Sequence, residues 1–454
     1  MSESQPSAGK GPPANRPSDS SYRWAVLAAG VLAQAAAATI LQGLPGLGPD
    51  LVRHFGLTLT GLGIVLASGT TGLLLTLMVW GLIADRIGER WTMTAGLVLS
   101  AGALLGAASA DDARALSAWL VAAGAAGASV NAAGGRAVLA WFPRVERGLA
   151  MGVRQTAIPL GAAVASVTLP LLAAGWGLDW AFRCMAIACL AAAVVVALLV
   201  REASVSVVAE DGPQGGAESG ADADRRSRSR GVTLLCGVSL FLTVPQVVVV
   251  GFLVVYLAQV HGMSGSTAAH LLAAVQLVGG TLRIVLGWWS DRLGRRIAPL
   301  GAVALLAAAL FAALALADAA GWGIAAAPLM VLAGAVAVSW NGLAFTAVGE
   351  LAAPSRVGLV LGVQNTAVAG GMALTPPLVG GLVDRTSWAV AFTVASLAAV
   401  TARLLLAGMR TGRGAHGVPP VQPPPPTPAR ARRPPAVQTA AAPAVETAEQ
   451  REES

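Results

Sequence analysis

The sequence predicts an all-α membrane protein with twelve transmembrane helices, built as two parallel repeats of six. Three observations predict this fold. The 454 residues are 55% hydrophobic and only 12% charged, whereas about 25% of the residues of an average soluble domain are charged. Twelve apolar runs each approach or exceed the roughly 20 residues that a membrane-spanning helix needs. Finally, a pattern of glycine and polar residues recurs between the first six runs and the last six.

Polar breaks between the apolar runs define the ends of the predicted helices. Numbered from the N-terminus, the predicted spans are residues 23–44, 61–84, 91–109, 116–141, 148–172, 180–200, 232–258, 268–289, 297–317, 322–348, 357–383 and 388–409.

The longest polar interruption, 201–231, divides the spans into an N-terminal six-helix bundle over 23–200 and a C-terminal one over 232–409. We predict that this interruption is a linker. The polar segment 1–22 and the proline-rich tail 410–454 contain too little apolar surface to fold. Both are therefore predicted to be disordered.

Basic residues predict the orientation in the membrane. With both termini in the cytoplasm, 22 of the 30 basic residues lie on the cytoplasmic side and four on the other. Since cytoplasmic loops carry an excess of Lys and Arg, the termini and the linker are predicted to be cytoplasmic, in an inner or plasma membrane. Such scattered charge argues against nucleic-acid binding, which needs a basic patch on a solvated domain. The remaining four basic residues lie within spans: Arg136, Arg154, Arg283 and Arg403.

An internal repeat relates the two halves. At an offset of 210 residues, Asn131 matches Asn341, and several glycines and threonines match in the same register. At an offset of 206, both Gly81–Arg90 and Gly287–Arg296 read Gly-x-x-x-Asp-Arg-x-Gly-x-Arg. Six spans per half give both copies the same orientation. The interface of such repeats near the membrane midplane is the expected place for a transport site.

These two ten-residue segments resemble the signature of the Major Facilitator Superfamily, found between spans 2 and 3 and between spans 8 and 9. The resemblance covers residues 23–409. It implies two six-helix bundles that rock about a central cavity lined by spans 1, 4, 7 and 10. It also implies a secondary active or facilitative transporter that works by alternating access, as a monomer, as symporter, antiporter or facilitator.

The signature segments suggest a conformational latch. Asp85 and Asp291 lie at cytoplasmic helix ends, where each can accept hydrogen bonds from arginine or from exposed helix amides. We interpret them as a charge latch between bundles; the alternative is a pair of solvated loop ends. Asp85 is expected to pair with Arg136, and Glu350 with Arg296 or Arg356. The candidate latch residues are Gly81, Asp85, Arg86, Gly88, Arg90, Arg136, Gly287, Asp291, Arg292, Gly294 and Arg296.

Each predicted cavity helix carries one amide in its middle or inner half: Gln34, Asn131, Gln246 and Asn341. An unpaired amide in lipid is costly, so these side chains should face the bundle interior. As a set, we interpret them as the lining of a substrate cavity. The alternative for each is interhelical hydrogen bonding, which is common in membrane bundles.

Arg283 is the strongest candidate for contact with a substrate. It lies two turns after Gln276 on one helix face and about 12 Å inside the inner end of span 8, at 1.5 Å per residue. A charge there needs water, a partner or an anion, and no carboxylate is predicted at that depth. Arg283 resembles the substrate-binding arginine of monocarboxylate and oxalate/formate porters. A small organic anion is therefore the preferred cargo; the alternative is snorkelling or pairing with Asp291.

Arg154 in span 5 lies nearer the inner surface, and snorkelling to that surface is the favoured interpretation. The segment 148–156 around it resembles the cyanate- and nitrate-permease-like branches of the superfamily. Span 5 lacks the Gly-Pro pair typical of drug/proton antiporters. Asp50, His270 and Glu350 lie near span ends, so proton co-transport would use peripheral groups or the anion itself.

The sequence thus predicts a small-molecule transporter that binds a carboxylate in a lipid bilayer. One alternative is export of an amphipathic compound or drug, with Trp340 and Phe345 as an apolar contact surface. Another is a non-transporting sensor on a transporter scaffold, using the arginine-rich segment 225–230 or the tail. An enzyme, a cofactor, a metal site and a nucleic-acid partner are not predicted. The candidate substrate-binding residues are Arg283, Gln34, Asn131, Gln246, Gln276, Asn341 and Trp340.

Overall fold

A computed structural model describes residues 17–142, 146–201, 221–323, 326–351 and 357–411. All regular secondary structure in these ranges is helical. Most of the two predicted disordered segments, and residues 202–220 of the predicted linker, lie outside the described residues.

Eleven helices in the described ranges are long and apolar enough to cross a membrane. One of them, Leu59–Ala108, has 50 residues and is about 75 Å long at 1.5 Å per residue, more than twice the thickness of a bilayer core. It is interrupted at Gly88 and forms spans 2 and 3. The spans, in order, are Pro17–Gln42, Leu59–Ala108 (two spans), Ala113–Trp141, Arg147–Trp176, Leu178–Leu199, Ala221–His261, Gly265–Leu293, Ile297–Ala319, Ala326–Ser339 with Asn341–Leu351, Val357–Arg385 and Trp388–Thr411.

Three stretches are more helical than the sequence predicts. The helix of span 1 begins at Pro17, so the prediction of disorder is wrong for residues 17–22. The helix of span 7 begins at Ala221 instead of residue 232. Residues 221–230 contain neither glycine nor proline, so the helix can continue beyond the apolar core of the span. After span 1, a 3-10 turn, Leu44–Leu47, leads into a short helix, Gly48–Phe55.

The loops between spans form two faces. We call the face where span 1 begins and span 12 ends the terminal face, and the opposite one the distal face. Contacts between helix ends define the terminal face. Tyr22 Oη, near the start of span 1, donates a hydrogen bond to the carbonyl of Leu199 at the end of span 6, 2.8 Å away. Arg23 forms an ion pair with Glu146 at 3.0 Å. Spans 1, 5 and 6 therefore begin or end together at this face.

Spans 2, 3 and 4 pack at backbone distance. A methyl group on Gly72 of span 2 would overlap the carbonyl of Val121 in span 4, and one on Gly124 would overlap the backbone of Gly69. In span 3, a methyl group on Gly96 would overlap the Ser129 hydroxyl. Small residues allow this close approach, which supplies van der Waals contact where lipid gives no hydrophobic drive between helices.

Candidate functional site

Span 10 is interrupted at Trp340, between helices Ala326–Ser339 and Asn341–Leu351. Gln246, which follows Pro245 in span 7, accepts hydrogen bonds from Trp340 Nε1 at 3.0 Å and from Asn341 Nδ2 at 3.2 Å. These three predicted site residues therefore form one cluster between spans 7 and 10. Trp340 is completely buried, so in this structure its ring does not offer an open apolar surface to a ligand.

Arg283 lies beside the same interruption. Its Nη2 donates a hydrogen bond to the carbonyl of Val338, 3.0 Å away. Gly342 makes room for it, because a methyl group there would lie 3.2 Å from Arg283 Cγ. Arg283 Nε is buried without a hydrogen-bond partner in the described chain. Asp291, the alternative partner, binds Arg296 instead. Arg283 is thus a partly buried cation without an ion-pair partner among the described carboxylates.

The N-terminal half contains a second arginine–amide cluster. Arg154 Nη2 donates to Gln34 Oε1 at 2.6 Å and to the carbonyl of Val130 at 3.1 Å. Gln34 Nε2 in turn donates to Asn131 Oδ1 at 3.3 Å. This cluster joins spans 1, 4 and 5, and it places Gln34 and Asn131 together, as Gln246 and Asn341 are in the other half.

The snorkelling expected for Arg154 is wrong. Only 5% of Arg154 is exposed, and its guanidinium points into the half instead of toward the terminal face. Gly134 on span 4 makes room, since a methyl group there would lie 3.0 Å from Arg154 Nη2. The position of Arg154 within span 5 indicates its depth but not the direction of its side chain. That direction depends on how span 5 packs, and it points toward spans 1 and 4.

Gln276 takes part in a different contact from Arg283. Its Nε2 donates to Gln42 Oε1 at 3.2 Å, which links span 8 to the end of span 1. Gln276 is therefore a contact between the two halves on the distal side. Asn131 also contributes the polar group of a small cavity otherwise lined by Ala37, Ile40, Leu41, Leu73, Gly124 and Gly127.

At the terminal face, the first signature segment forms contacts within its own half. Arg136 forms an ion pair with Asp85, and its Nε lies 3.8 Å from Glu89. Gly88 has φ of 80°, a backbone conformation that favours glycine and permits the sharp turn between spans 2 and 3. The guanidinium of Arg90 lies 4.9 Å from the ring centre of Trp91.

The second segment is held in the same way. Arg296 pairs with Asp291 and, at 2.8 Å, with Glu350. Partial burial lowers the pKa of Arg296, but hydrogen bonds and charge from these two carboxylates outweigh it and leave the pKa above its ordinary value. Gly294 ends span 8 with φ of 59°. The guanidinium of Arg292 lies 3.9 Å from the ring centre of Trp288.

Three other predicted latch positions have simpler surroundings. Arg86 is exposed, and methyl groups on Gly81 or Gly287 would meet nothing within 4 Å. Arg356, the alternative partner of Glu350, lies outside the described residues.

Asp384 at the distal face was missed by the sequence analysis. At the end of span 11, it accepts hydrogen bonds from the amides of Leu59 and Thr60 at 3.0 and 2.8 Å, and from Thr60 Oγ1 at 2.6 Å. The carboxylate thus caps the first turn of span 2 in the other half, where a negative charge is favourable. Its partners are more than 300 residues away in the chain, and no local pattern points to them.

The halves also approach closely at two helix crossings. A methyl group on Gly63 of span 2 would overlap the carbonyl of Pro376 in span 11. In spans 5 and 8, a methyl group on Gly280 would lie 3.3 Å from the ring of Pro159. Asp384 and the crossing of spans 2 and 11 join the halves on the distal side, and the crossing of spans 5 and 8 joins them near mid-depth. The ion pairs described at the terminal face lie within one half.

The comparisons with known proteins agree with this architecture. Residues 26–372 match the sequence model of the Major Facilitator Superfamily. Two proteins described as uncharacterised MFS-type transporters, from two strains of Mycobacterium tuberculosis, are each 35% identical over 398 residues, which cover 86% of this chain and 87% of theirs.

Solved structures show the same fold. A D-xylose–proton symporter has a TM-score of 0.68 at 16% identity, covering 85% of this chain and 97% of its own. An inward-facing, occupied bacterial homologue of the human lysosomal transporter Spinster has a TM-score of 0.65 at 16% identity, covering 86% and 96%. The predicted twelve-span fold is confirmed. The family match covers most of the sequence, and the chain belongs to the Major Facilitator Superfamily.

Proposed function

We propose that this membrane transporter carries a small organic anion, a carboxylate, by alternating access. The observation that carries the proposal is Arg283, a cation inside span 8 that is bonded to a backbone carbonyl and has no ion-pair partner among the described carboxylates. A charge at such a depth is unfavourable unless water, a partner or an anion compensates it. A carboxylate substrate would supply the compensating charge, in a geometry that suits a guanidinium.

The amide clusters would complete the site. Gln34 and Asn131 from spans 1 and 4, and Gln246 and Asn341 from spans 7 and 10, form matching pairs at the helices that the family uses for its cavity. Each amide has four hydrogen-bonding positions, and the described contacts use only part of them. We assign Trp340 a positioning role, because its indole N–H orients Gln246.

We further propose that the terminal face is cytoplasmic, as the distribution of arginine and lysine predicts. With the halves joined at the distal face, separation of the halves at the terminal face would then open the site toward the cytoplasm. In the opposite conformation, Asp85 and Asp291 would act as latches between the halves. The carrier would work as a monomer, with any co-transported proton carried by peripheral groups or by the anion.

The test is a thermal-stability screen of the purified protein against carboxylates, neutral sugars and organic cations, repeated with Arg283→Gln. We expect carboxylates to raise the unfolding temperature of the natural protein and to lose this effect in the variant. Arg403→Gln is the matched control, since it also removes an arginine from a span but lies against Gly301 of span 9. Stabilisation mainly by cations or neutral compounds would refute the proposal.

A further inference from the structure

We infer that the cargo is a dicarboxylate and that Arg154, in the other half of the protein from Arg283, is its second cationic binding group. This inference rests on the proposed carboxylate transport and narrows it. Arg154 is 95% buried, as its exposure of 5% implies. Its Nε has no hydrogen-bond partner in the described chain, and none of the described carboxylates forms an ion pair with it. Arg283 has both of these last two properties.

The two arginines lie at similar depth on either side of the interface between halves. Span 5 runs from the terminal to the distal face and span 8 runs back, and they meet where Gly280 faces Pro159. Arg154 lies five residues to the terminal side of this crossing and Arg283 three. At 1.5 Å per residue these distances are about 7.5 and 4.5 Å along the helices, so the depths differ by about 3 Å.

Both side chains also contact the same kind of structure. Arg154 donates to a carbonyl in span 4, and Arg283 donates to one in span 10. In each half, therefore, a cation is held against a helix that lines the cavity in this family. A single carboxylate would compensate one of these charges and leave the other uncompensated in a low-dielectric site, where an unpaired charge is strongly unfavourable. Two carboxylates on one molecule would compensate both.

The internal repeat shows that packing at position 154 does not demand a charge. The equivalent residue in the second half is Gln364, whose Nε2 donates to Ser239 Oγ at 3.0 Å. Gln364 is fully buried, so a neutral amide fits at this place in a span that is otherwise closely related. The positive charge of Arg154 is what distinguishes the first half. Arg154→Gln therefore removes that charge with a side chain that the fold already accommodates.

The experiment compares dissociation constants for succinate and butyrate, which have equal numbers of carbons, by calorimetry on the natural protein, Arg154→Gln, Arg283→Gln and Arg403→Gln. A hydrogen bond to a charged group contributes about 1.5–3 kcal/mol, so the natural protein should bind succinate at least about tenfold more tightly than butyrate. Arg154→Gln should lose this preference and keep its weaker affinity for butyrate. Arg283→Gln should lose both ligands, and Arg403→Gln should behave as the natural protein.

The outcomes separate the two proposals. Glutarate and adipate, tested alongside, allow for a longer span between the guanidinium groups. Failure of all three diacids to bind more tightly than their matched monoacids, or an unchanged preference for the diacid in Arg154→Gln, would overturn the dicarboxylate inference and leave carboxylate transport intact. If neither mono- nor dicarboxylates bind, the proposed function itself is wrong. Thermal unfolding of each variant checks that it is folded.

Discussion

The distal and terminal faces use polar contacts in opposite ways. At the distal face, Asp384 in one half binds the start of span 2 in the other, and Gln276 reaches Gln42 across the same boundary. At the terminal face, the described ion pairs of Asp85 and Arg296 stay within one half. Polar contacts thus join the two halves at the distal face. At the terminal face, these charged side chains already have ion-pair partners within their own half. The terminal face can separate without breaking these ion pairs.

The largest expected effect comes from breaking the crossing of spans 2 and 11. Gly63→Ala places a methyl group against the Pro376 carbonyl, and overpacking of this kind destabilises by about 1–3 kcal/mol, which shifts a two-state equilibrium about fivefold or more. The distal face should open. Spin labels at Ser109→Cys and Ser387→Cys, in a variant without the native cysteines, report the distance between the halves. Gly102→Ala in span 3, where a methyl group meets nothing within 4 Å, should leave this distance unchanged.

A smaller shift in the same direction is expected for Asp384→Ala. The variant loses three hydrogen bonds from span 2, but the carboxylate is exposed and solvent replaces part of the loss. We expect the distal-open population to rise about fivefold, corresponding to about 1 kcal/mol. The same spin-label pair measures it. A population equal to that of the natural protein would mean that the helix crossings alone fasten the distal face.

The smallest effect should have the opposite sign. If Asp85 latches the terminal face in the other conformation, Asp85→Asn weakens that conformation and favours the distal-closed one by about two- to threefold, as expected for an exposed ion pair. Combining it with Asp384→Ala should partly restore the natural distance distribution. A shift toward the distal-open form in Asp85→Asn would contradict the latch hypothesis, and with it the proposed contrast between the two faces.

Much of the fold follows from the sequence because span length and hydropathy are local properties. The break at Gly88 and the turn at Gly294 also carry a local signal, since each glycine follows an Asp-Arg pair just after the end of an apolar run. What a side chain faces is not local. The depth of Arg154 in span 5 favours snorkelling to the inner surface. The space that Gly134 leaves for its guanidinium instead depends on how spans 4 and 5 pack, which the local sequence does not show.

The candidate site shows the same division. Four amides at the family's cavity helices could be selected from the sequence, and the structure brings them together as two pairs. The sequence could not show that Trp340 would be completely buried and would donate a hydrogen bond to Gln246. Nor could it join Asp384 to Thr60, because that contact exists only where the two halves meet.

The backbone contacts among spans 2, 3 and 4 have a consequence for how a compound could reach the interior. Spans 2 and 4 are in backbone contact at Gly72 and Gly124, and spans 3 and 4 are in contact where Gly96 faces Ser129. At these positions, the protein therefore leaves no gap between the spans through which a molecule could enter from the bilayer. A hydrophobic compound dissolved in the bilayer would have to enter between other helices. A water-soluble ion that enters from an open face does not depend on these contacts.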